Sequence, residues 1–442
     1  MSIRTRFAPS PTGQVHIGNI RAAIYNWLYA RHTGGRFLLR IEDTDRERST
    51  PEAVEAVHAA LRWLSLDPDE PPLYQSTRRA AHLAAAERLV AAGRAYREDK
   101  GGTGKGECIV FRMPGTDMRF HDDIKGELVK PAADLRDFVI VRSDGHPVFH
   151  LANVVDDIEM GITHVIRGDD HIENTYRHVA LFEALGAPAP RYAHLPMIVN
   201  AQGKPYSKRD GAAYVGEFRD RGFLADALFN YLALLGWSPG GDREILSRAE
   251  MIELFDFGRV QSSPAQFDER KLLWMNGEYM RRMPLAEREA QHRADLERHG
   301  LAAPDAAYAR RVFEIMGDRI KLFSDTAAQT VYFFTEDYPV DEKAFRKALG
   351  KEGATECLAE IARRFAAVPD FDAAALEATV RAMAAERNLK MGQLVHPLRA
   401  AVSGTDAGPG LFEMLEALGR ERVARRIARA IERARASGAT DA

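Results

Sequence analysis

His16, Gly18 and Asn19 are the residues whose types and spacing most clearly suggest chemistry in this 442-residue chain. They follow a strand-like start and a Pro/Gly-rich turn at residues 9–13, and the next apolar residues recur at helical spacing: Ile20, Ile24, Trp27 and Leu28. A helix is therefore expected to begin near Gly18, where unpaired backbone N–H groups and the helix dipole favour an anion. His16 can donate a hydrogen bond at that spot, and Gly18 lets a nucleotide approach the backbone closely. The turn predicts a site for a nucleotide phosphate.

The segments around this turn indicate a parallel α/β sheet. Residues 37–41 are almost continuously apolar, which is typical of strands covered on both faces. A helix and short strand-like pieces interrupt the pattern from about residue 78 to 143. The α/β pattern then resumes over four candidate segments: 148–155, 163–166, 172–185 and 192–199. The last third is rich in Ala, Leu, Arg and Glu and has no strong alternating strands, so an all-α module is expected there.

Composition and length limit the class of protein. A chain of 442 residues suggests two to four domains, and 45% hydrophobic with 28% charged residues is typical of an ordinary globular protein. No apolar run approaches the ~20 residues that a membrane helix needs. The start shows no basic leader followed by an apolar segment, so a cytoplasmic location is expected.

Two features bear on metals and nucleic acid. Cys108 and Cys357 are the only cysteines and are far apart, so neither a disulfide framework nor a zinc site is expected. The net charge of −3 argues against nucleic-acid binding over the whole surface, but the distribution of charge decides where a polyanion could bind. Residues 420–429 read as a basic amphipathic helix; taken alone, the segment is more often a solvated helix face.

The block His16-Ile17-Gly18-Asn19 resembles the first signature of class I aminoacyl-tRNA synthetases, His-Ile-Gly-His, with Asn19 in place of the last histidine. Six further segments resemble bacterial-type glutamyl-tRNA synthetases in particular, and together they span nearly the whole chain: 6–13, 26–31, 37–45, 162–171, 271–277 and 410–413. The loop Pro205-Tyr206-Ser207-Lys208-Arg209 is similar to the second signature, Lys-Met-Ser-Lys-Ser, with proline in place of the first lysine. Alone, such a loop is more often a solvated surface turn; beside the first signature it predicts a catalytic loop.

The resemblance implies a doubly wound parallel, Rossmann-type catalytic domain with an α+β insertion, then a connecting domain and an all-α anticodon-binding region. The expected division of the chain has five parts. They are the first half of the catalytic fold (1–77), the inserted acceptor-end-binding domain (78–143), the second half of the catalytic fold (144–200), the connecting domain with the signature loop (201–303) and the helical region (304–442).

The same resemblance implies the site residues. The catalytic candidates are His16, Gly18, Ser207 and Lys208, and the ATP-binding candidates are Pro9, His16, Gly18, Asn19, Asp170 and Lys208. The amino-acid pocket is implied to contain Arg6, Ser10, Glu42, Phe149, Asn153 and Arg167. Arg6 and Arg167 suit a side-chain carboxylate, and Glu42 suits the α-ammonium group. Phe149 stands where the family is expected to carry a tyrosine.

The implied reaction is the activation of L-glutamate with ATP and its transfer to the 3′-terminal adenosine of tRNA(Glu). A carboxylate is already ionised at neutral pH, so stabilising negative charge is the main catalytic task. His16, the helix start at Gly18, Lys208 and Mg²⁺ are the expected contributors. Lys204 is a candidate to replace the charge lost at Pro205. A monomer is expected, without bound zinc and without a membrane partner, and charging of tRNA(Gln) is left open.

Some alternative interpretations of the function and of individual motifs stay open, and others are rejected. An inactive tRNA-binding or scaffold protein and a small nucleotidyltransferase are the rival functions. The glycine-rich run 101–106 lacks the P-loop pattern and is expected to be a flexible hairpin. Asp169, Asp170 and His171 follow a strand end, where ATP contact or simple capping of the next helix is equally compatible. His164, His171 and His178 are not expected to converge on a metal.

Overall fold

A computed structural model of the chain describes residues 2–45, 48–99 and 106–438. Residues 101–105 of the glycine-rich run therefore lie outside the described residues. The chain forms two compact units, which divide between residues 275 and 276. Within the described ranges, every helix is too short or too polar to span a bilayer.

The described strands all lie in the first unit. They are β1 (Arg4–Phe7), β2 (Arg36–Ile41), β3 (Leu73–Tyr74), β4 (Ala95–Glu98), β5 (Cys108–Phe111), β6 (Met118–Asp122), β7 (Gly126–Lys130), β8 (Phe138–Val141), β9 (His164–Gly168), β10 (Arg191–Leu195), β11 (Ile198–Val199) and β12 (Ala265–Gln266).

The helices of the first unit are α1 (Ile17–His32), α2 (Pro51–Trp63), α3 (Arg79–Ala91), α4 (Phe149–Glu159), α5 (Ile172–Ala184), α6 (Val215–Asp220), α7 (Ala225–Leu234) and α8 (Arg248–Leu254). Helix α9 (Glu269–Arg282) contains the division. The second unit continues with α10 (Leu285–Arg298), α11 (Ala306–Met316), α12 (Thr326–Phe334), α13 (Glu342–Leu349), α14 (Ala354–Ala367), α15 (Ala373–Glu386), α16 (Met391–Ser403), α17 (Leu411–Leu418) and α18 (Arg420–Gly438).

The main sheet has the order β3-β2-β1-β9-β10-β6-β7, and all of its pairs are parallel except β6 with β7. This confirms the parallel α/β core. Segment 78–143 contributes to two sheets, because the β6–β7 hairpin extends the main sheet while β4, β5 and β8 form a separate antiparallel one. The strand expected over 192–199 is interrupted at Pro196 and Met197, and its two parts belong to different sheets.

Helices cover both faces of the sheet, as a doubly wound fold requires. Successive side chains of a strand point to opposite faces. On β9, His164 contacts Tyr29 of α1, whereas Arg167 bonds to Thr175 of α5. On β1, Thr5 bonds to the Asn26 carbonyl of α1, whereas the next residue, Arg6, faces α4. Charged side chains therefore lie on the α4/α5 face, at the carboxyl ends of the strands.

The second unit is helical throughout its described residues, which confirms the all-α expectation. The basic helix α18 is not simply solvated. Arg426 is fully buried, and both Arg422 and Arg426 pair with Glu336. Arg420 donates to four carbonyl oxygens at residues 365–369. Much of this positive charge therefore holds helices together.

Candidate active site

A cavity of about 490 Å³ opens at the carboxyl ends of β1, β9 and β10. Eleven of the sequence-predicted site residues line it: Arg6, Pro9, Ser10, His16, Gly18, Asn19, Glu42, Phe149, Asn153, Arg167 and Asp170. Pro205 and Tyr206 of the signature loop also line it, whereas Ser207 and Lys208 do not. Ligands bind at this edge in open α/β sheets, because the strand order permits a crevice there.

His16 is the N-cap residue of α1, and its Nδ1 accepts a hydrogen bond from the Gly18 N–H at 3.1 Å. Burial lowers the pKa of His16, although the Tyr206 backbone carbonyl acts in the opposite direction. The ring is therefore neutral at pH 7, and its proton is on Nε2. A Cβ added at Gly18 would lie 3.4 Å from His16 Nδ1, so the glycine keeps this cap open.

The expectation of unpaired N–H groups at the start of α1 is wrong. Ile17 donates to the Ala213 carbonyl, Gly18 to His16 Nδ1, and both Asn19 and Ile20 to the His16 carbonyl. The first N–H groups of a helix have no partner within the helix, but here the His16 side chain and the Ala213 carbonyl accept their hydrogen bonds. Attraction of an anion to this turn therefore depends on the helix dipole and on side chains.

Three buried arginines lie in or behind the wall of the cavity on the α4/α5 face of the sheet, the end that is proposed below to bind the amino acid: Arg6, Arg40 and Arg167, which are 2%, 0% and 8% exposed. Arg6 pairs with Asp157 through Nε at 3.1 Å, and Arg40 pairs with the same carboxylate. Both cations hold the pKa of Asp157 below its usual value, although burial acts to raise it. Arg40 also donates to Glu42 at 3.1 Å.

Glu42 is fixed from two sides. Its Oε1 accepts from Arg40 Nη2 and from Asn153 Nδ2, the latter at 2.9 Å. Asn153 Oδ1 is buried and has no hydrogen-bond partner among the described residues. A carboxylate beside an unused carbonyl oxygen suits an ammonium group.

Arg167 differs from the other two arginines because it has no ion pair with any carboxylate in the described part of the chain. Its hydrogen bonds go to neutral acceptors: Thr175 Oγ1 at 2.7 Å, His194 Nε2 at 3.4 Å and the His171 carbonyl at 3.5 Å. Burial, and then the nearby charge of Arg6, lower the pKa of Arg167 to about 10, so it remains charged at neutral pH. A buried cation without an anion is costly unless a ligand supplies one.

The signature loop lies apart from this arrangement. Ser207 bonds to Asp210 through both N and Oγ at 2.9 Å. The Lys208 side chain is 73% exposed, and its ammonium group lies 4.0 Å from Glu217 Oε1. Of the loop, only Pro205 and Tyr206 reach the cavity wall.

Phe149 belongs to a cluster of aromatic rings at the cavity wall. Its ring lies 5.4 to 6.0 Å from those of His150, His171 and His178. His150 Nδ1 and His178 Nε2 lie 3.2 Å apart, while His164 lies on the opposite face of the sheet against Tyr29. Burial and neighbouring arginines lower the pKa of His150 and of His171 to about 4.

Carboxylates at the other side of the cavity come from the short turn after β9. Asp169 pairs with Lys125 at 3.0 Å, whereas the Asp170 side chain is 65% exposed. No three His, Cys, Asp or Glu side chains of the described residues are grouped to hold a metal ion. Both carboxylates, Asp169 and Asp170, line this side of the cavity.

Sequence reasoning missed the buried polar residues that hold the cavity: Arg40, Asp157, Asp122, His194 and Thr175. Arg40 gave a signal, because it is a single charge within the apolar strand 37–41. Asp157 follows Asp156 in an apolar helix and gave a weaker one. The other three gave none, since Thr175 and His194 lie 8 and 27 residues from Arg167, and Asp122 lies 72 residues from His194.

Comparisons with known proteins match the chain over nearly its whole length. The family model described as "tRNA synthetases class I (E and Q), catalytic domain" matches residues 2–103 and 98–274, and the model "Anticodon binding domain" matches residues 283–431. The chain is 40% identical to "Glutamate--tRNA ligase 2" of Koribacter versatilis, covering 97% of this chain and 98% of the relative. It is 42% identical to "Glutamate--tRNA ligase 1" of Acidiphilium cryptum, covering 97% and 99%.

A solved structure of a glutamate tRNA ligase from Elizabethkingia meningosepticum, in complex with its amino acid, superposes with a TM-score of 0.84 at 31% identity. The match covers 98% of this chain and 99% of that one. Together with the catalytic and anticodon-binding matches, this full-length similarity shows that the chain belongs to the glutamyl-tRNA synthetases of class I.

Proposed function

We propose that the cavity binds L-glutamate and ATP, forms glutamyl-adenylate and transfers the glutamyl group to the 3′-terminal adenosine of tRNA(Glu). The observation that carries the choice of glutamate is Arg167, a buried guanidinium at the cavity wall with no carboxylate partner among the described residues. A side-chain carboxylate of the substrate would complete this pair with charge-assisted hydrogen bonds.

The charges of the amino-acid end support the same substrate. Arg6 and Arg40 form ion pairs with Asp157 and Glu42, whereas Arg167 has no carboxylate partner among the described residues, so this group of five side chains has one positive charge in excess. Glutamate carries two carboxylates and one ammonium group, so its net charge of about −1 at neutral pH balances that excess. Neutral glutamine would leave the buried cation unpaired.

The proposed division of labour in activation follows from this arrangement. Arg167 and Arg6 hold the side-chain carboxylate, and Glu42 with Asn153 receives the α-ammonium group. The α-carboxylate is then free to attack the α-phosphorus of ATP, with diphosphate as the leaving group. Because that carboxylate is already ionised, the step needs positioning and charge stabilisation rather than a general base.

His16, Gly18 and Asn19 line the cavity at the start of α1, and we assign the nucleotide to this side. Lys208 is the proposed cation for the triphosphate, and Ser207 belongs to the same loop. Since the Lys208 ammonium group lies beside Glu217 in the free protein, its use requires the side chain to exchange that carboxylate for phosphate oxygens. Mg²⁺ neutralises part of the triphosphate charge when it is bound with ATP.

In the second half-reaction, a hydroxyl of the terminal ribose attacks the glutamyl carbonyl and AMP leaves. The helical second unit is the expected reader of the anticodon, in agreement with the family model that it matches. We expect the protein to act as a monomer in the cytoplasm, and sedimentation of the purified protein tests the first of these expectations.

The decisive experiment is the incorporation of labelled glutamate into two purified tRNAs, tRNA(Glu) and tRNA(Gln). Charging of tRNA(Glu) supports the proposal, and the second tRNA shows whether the specificity is relaxed. Binding of tRNA without charging would identify the inactive scaffold. Nucleotide transfer to a substrate other than an amino acid would identify the nucleotidyltransferase.

A further inference from the structure

A row of four buried polar side chains runs from the edge hairpin of the main sheet to the cavity. Its members come from β6, β10, α5 and β9 and are Asp122, His194, Thr175 and Arg167. Asp122, His194 and Thr175 are at most 1% exposed. None of these three lines the cavity, but His194 and Thr175 form hydrogen bonds with Arg167, which does.

Asp122 fixes the tautomer of His194. The carboxylate Oδ1 accepts from the backbone N–H groups of Ile124 and Lys125, and Oδ2 accepts from the backbone N–H of His194 at 3.0 Å. The His194 Nδ1 lies 2.6 Å from the same Oδ2. Since both oxygens receive donors only, Nδ1 carries the proton and Nε2 presents a lone pair.

That lone pair faces the guanidinium of Arg167. Arg167 Nε lies 3.4 Å from His194 Nε2, and Arg167 Nη2 lies 2.7 Å from Thr175 Oγ1. The Thr175 hydroxyl lies 3.0 Å from His194 Nε2 and 3.1 Å from the His171 carbonyl, so it donates its proton to one of these while its oxygen accepts from Arg167. His194 and Thr175 hold the Nε/Nη2 edge of the planar group, while Nη1 makes no hydrogen bond to any residue that the structure describes. The fork is therefore fixed in one orientation with a donor left for a ligand.

We propose that His194, oriented by Asp122, is a positioning residue for glutamate selection: with Thr175 it fixes the Arg167 guanidinium in the orientation that receives the substrate's side-chain carboxylate. This inference depends on the proposed function, because it assigns the carboxylate to Arg167. It places part of the selectivity for glutamate on a hairpin of segment 78–143. Burial and the charge of Arg167 lower the pKa of His194, although Asp122 acts to raise it, so the ring keeps its acceptor at neutral pH.

The experiment compares two replacements of His194 in the full-length protein, by steady-state charging of tRNA(Glu). His194→Phe keeps a ring of similar shape but removes the acceptor, whereas His194→Gln keeps a carbonyl oxygen near the position of Nε2. We expect His194→Phe to raise the KM for glutamate about tenfold, because a hydrogen bond to a charged group is lost. The KM for ATP and kcat should stay unchanged, and His194→Gln should recover most of the glutamate KM.

Asp122→Asn tests the tautomer argument. We expect the amide NH2 of the new asparagine to face His194. The opposite orientation would place this NH2 against the backbone N–H groups of Ile124 and Lys125, which both need an acceptor. The ring proton then moves to Nε2, where it opposes Arg167, and the KM for glutamate rises as in His194→Phe. Asp123→Asn is the matched control, because this neighbouring carboxylate is also largely buried but pairs with Arg191 and not with the row.

The outcomes separate the two proposals. A wild-type protein that fails to charge tRNA(Glu) overturns the proposed function. If the wild type is active and His194→Phe leaves the KM for glutamate unchanged, the positioning role is overturned. It is also overturned if His194→Phe raises the KM for glutamate and the KM for ATP equally and His194→Gln does not restore the KM for glutamate. If His194→Phe does not fold, Thr175→Val decides: it removes the second acceptor at constant shape, and an unchanged glutamate KM there overturns the inference.

Discussion

The two ends of the cavity are built in different ways. At the amino-acid end, Arg6, Arg40 and Arg167 are buried on neighbouring strands, and packing and hydrogen bonds hold their guanidinium groups. At the signature loop, Lys208 is 73% exposed and Ser207 is tied to Asp210 outside the cavity wall. The proposed amino-acid end has its guanidinium groups in place in the free protein, whereas the cation proposed for the nucleotide, Lys208, lies outside the cavity wall.

The difference corresponds to two physical tasks. Selection of an amino acid requires fixed donors, since a rigid, desolvated fork penalises a substrate that leaves it unpaired. Stabilising a triphosphate whose charge moves during the reaction suits a flexible ammonium group that can follow it. The predictions below test this contrast between a rigid amino-acid end and a mobile nucleotide end.

The largest effect is expected from Arg167→Ala. It removes the unpaired cation of the rigid end, so kcat/KM for glutamate should fall on the order of 10³–10⁴-fold. The loss should appear chiefly in the KM for glutamate. Initial-rate charging assays measure it, with Arg191→Ala as control, because Arg191 is an exposed arginine on the neighbouring strand β10. A normal glutamate KM in Arg167→Ala would contradict the pocket assignment.

Lys208→Ala tests the mobile end. Loss of one donor aimed at developing negative charge is expected to lower the rate of adenylate formation on the order of 10²–10³-fold, with little change in tRNA affinity. Single-turnover assays with saturating ATP, glutamate and tRNA measure the step. The contrast between the two ends fails if the loss appears in the KM for glutamate instead.

A smaller effect is expected from Lys204→Ala. Pro205 supplies no charge at its signature position, and Lys204 is the proposed substitute, so its loss should cost about tenfold in adenylate formation. If both lysines act on the same phosphates, the double variant loses less than the product of the single effects. Strictly multiplicative losses would show that the two lysines act independently.

Phe149→Tyr sharpens the description of the rigid end. A hydroxyl added to this ring at the cavity wall can donate to the bound amino acid, and the KM for glutamate should fall about threefold. The measurement is the same charging assay, and the unfolding midpoint serves as control because the ring packs against three histidines. A raised KM would show that the phenyl ring already fills the space.

No effect is expected from removal of metal from the free protein. In the proposed site, amino-acid side chains alone form both ends of the cavity in the free protein. Neither Cys108 nor Cys357 has neighbours in sequence that would complete a zinc site. Elemental analysis of protein purified without added metal should find no stoichiometric zinc, and chelation should leave the unfolding midpoint unchanged. Stoichiometric zinc would overturn this expectation.

Local sequence was sufficient where the signal is local. The apolar run at 37–41 predicted β2, and the periodicity after Gly18 predicted α1, because burial on both faces and helical packing each impose a period on the chain. Prediction from local sequence failed where contacts with other parts of the structure replaced the expected local arrangement. The first N–H groups of α1 were expected to be free, but the Ala213 carbonyl and the His16 side chain satisfy them.

By itself, the sequence determined the family, the parallel core, the helical second unit and eleven of the residues that line the cavity, since signature residues and hydrophobic periods can be read without partners. Only the tertiary structure decided which charges remain unpaired. Asp157 and Arg40 lie 117 residues apart along the chain, and no spacing rule connects them. The register of β9 against β10 sets Arg167 beside His194, and the pleat points both to the same face. Arg167 therefore lacks an anion because the sheet places it beside the neutral side chains of His194 and Thr175. The nearby carboxylates of Glu42 and Asp157 are bound to other arginines.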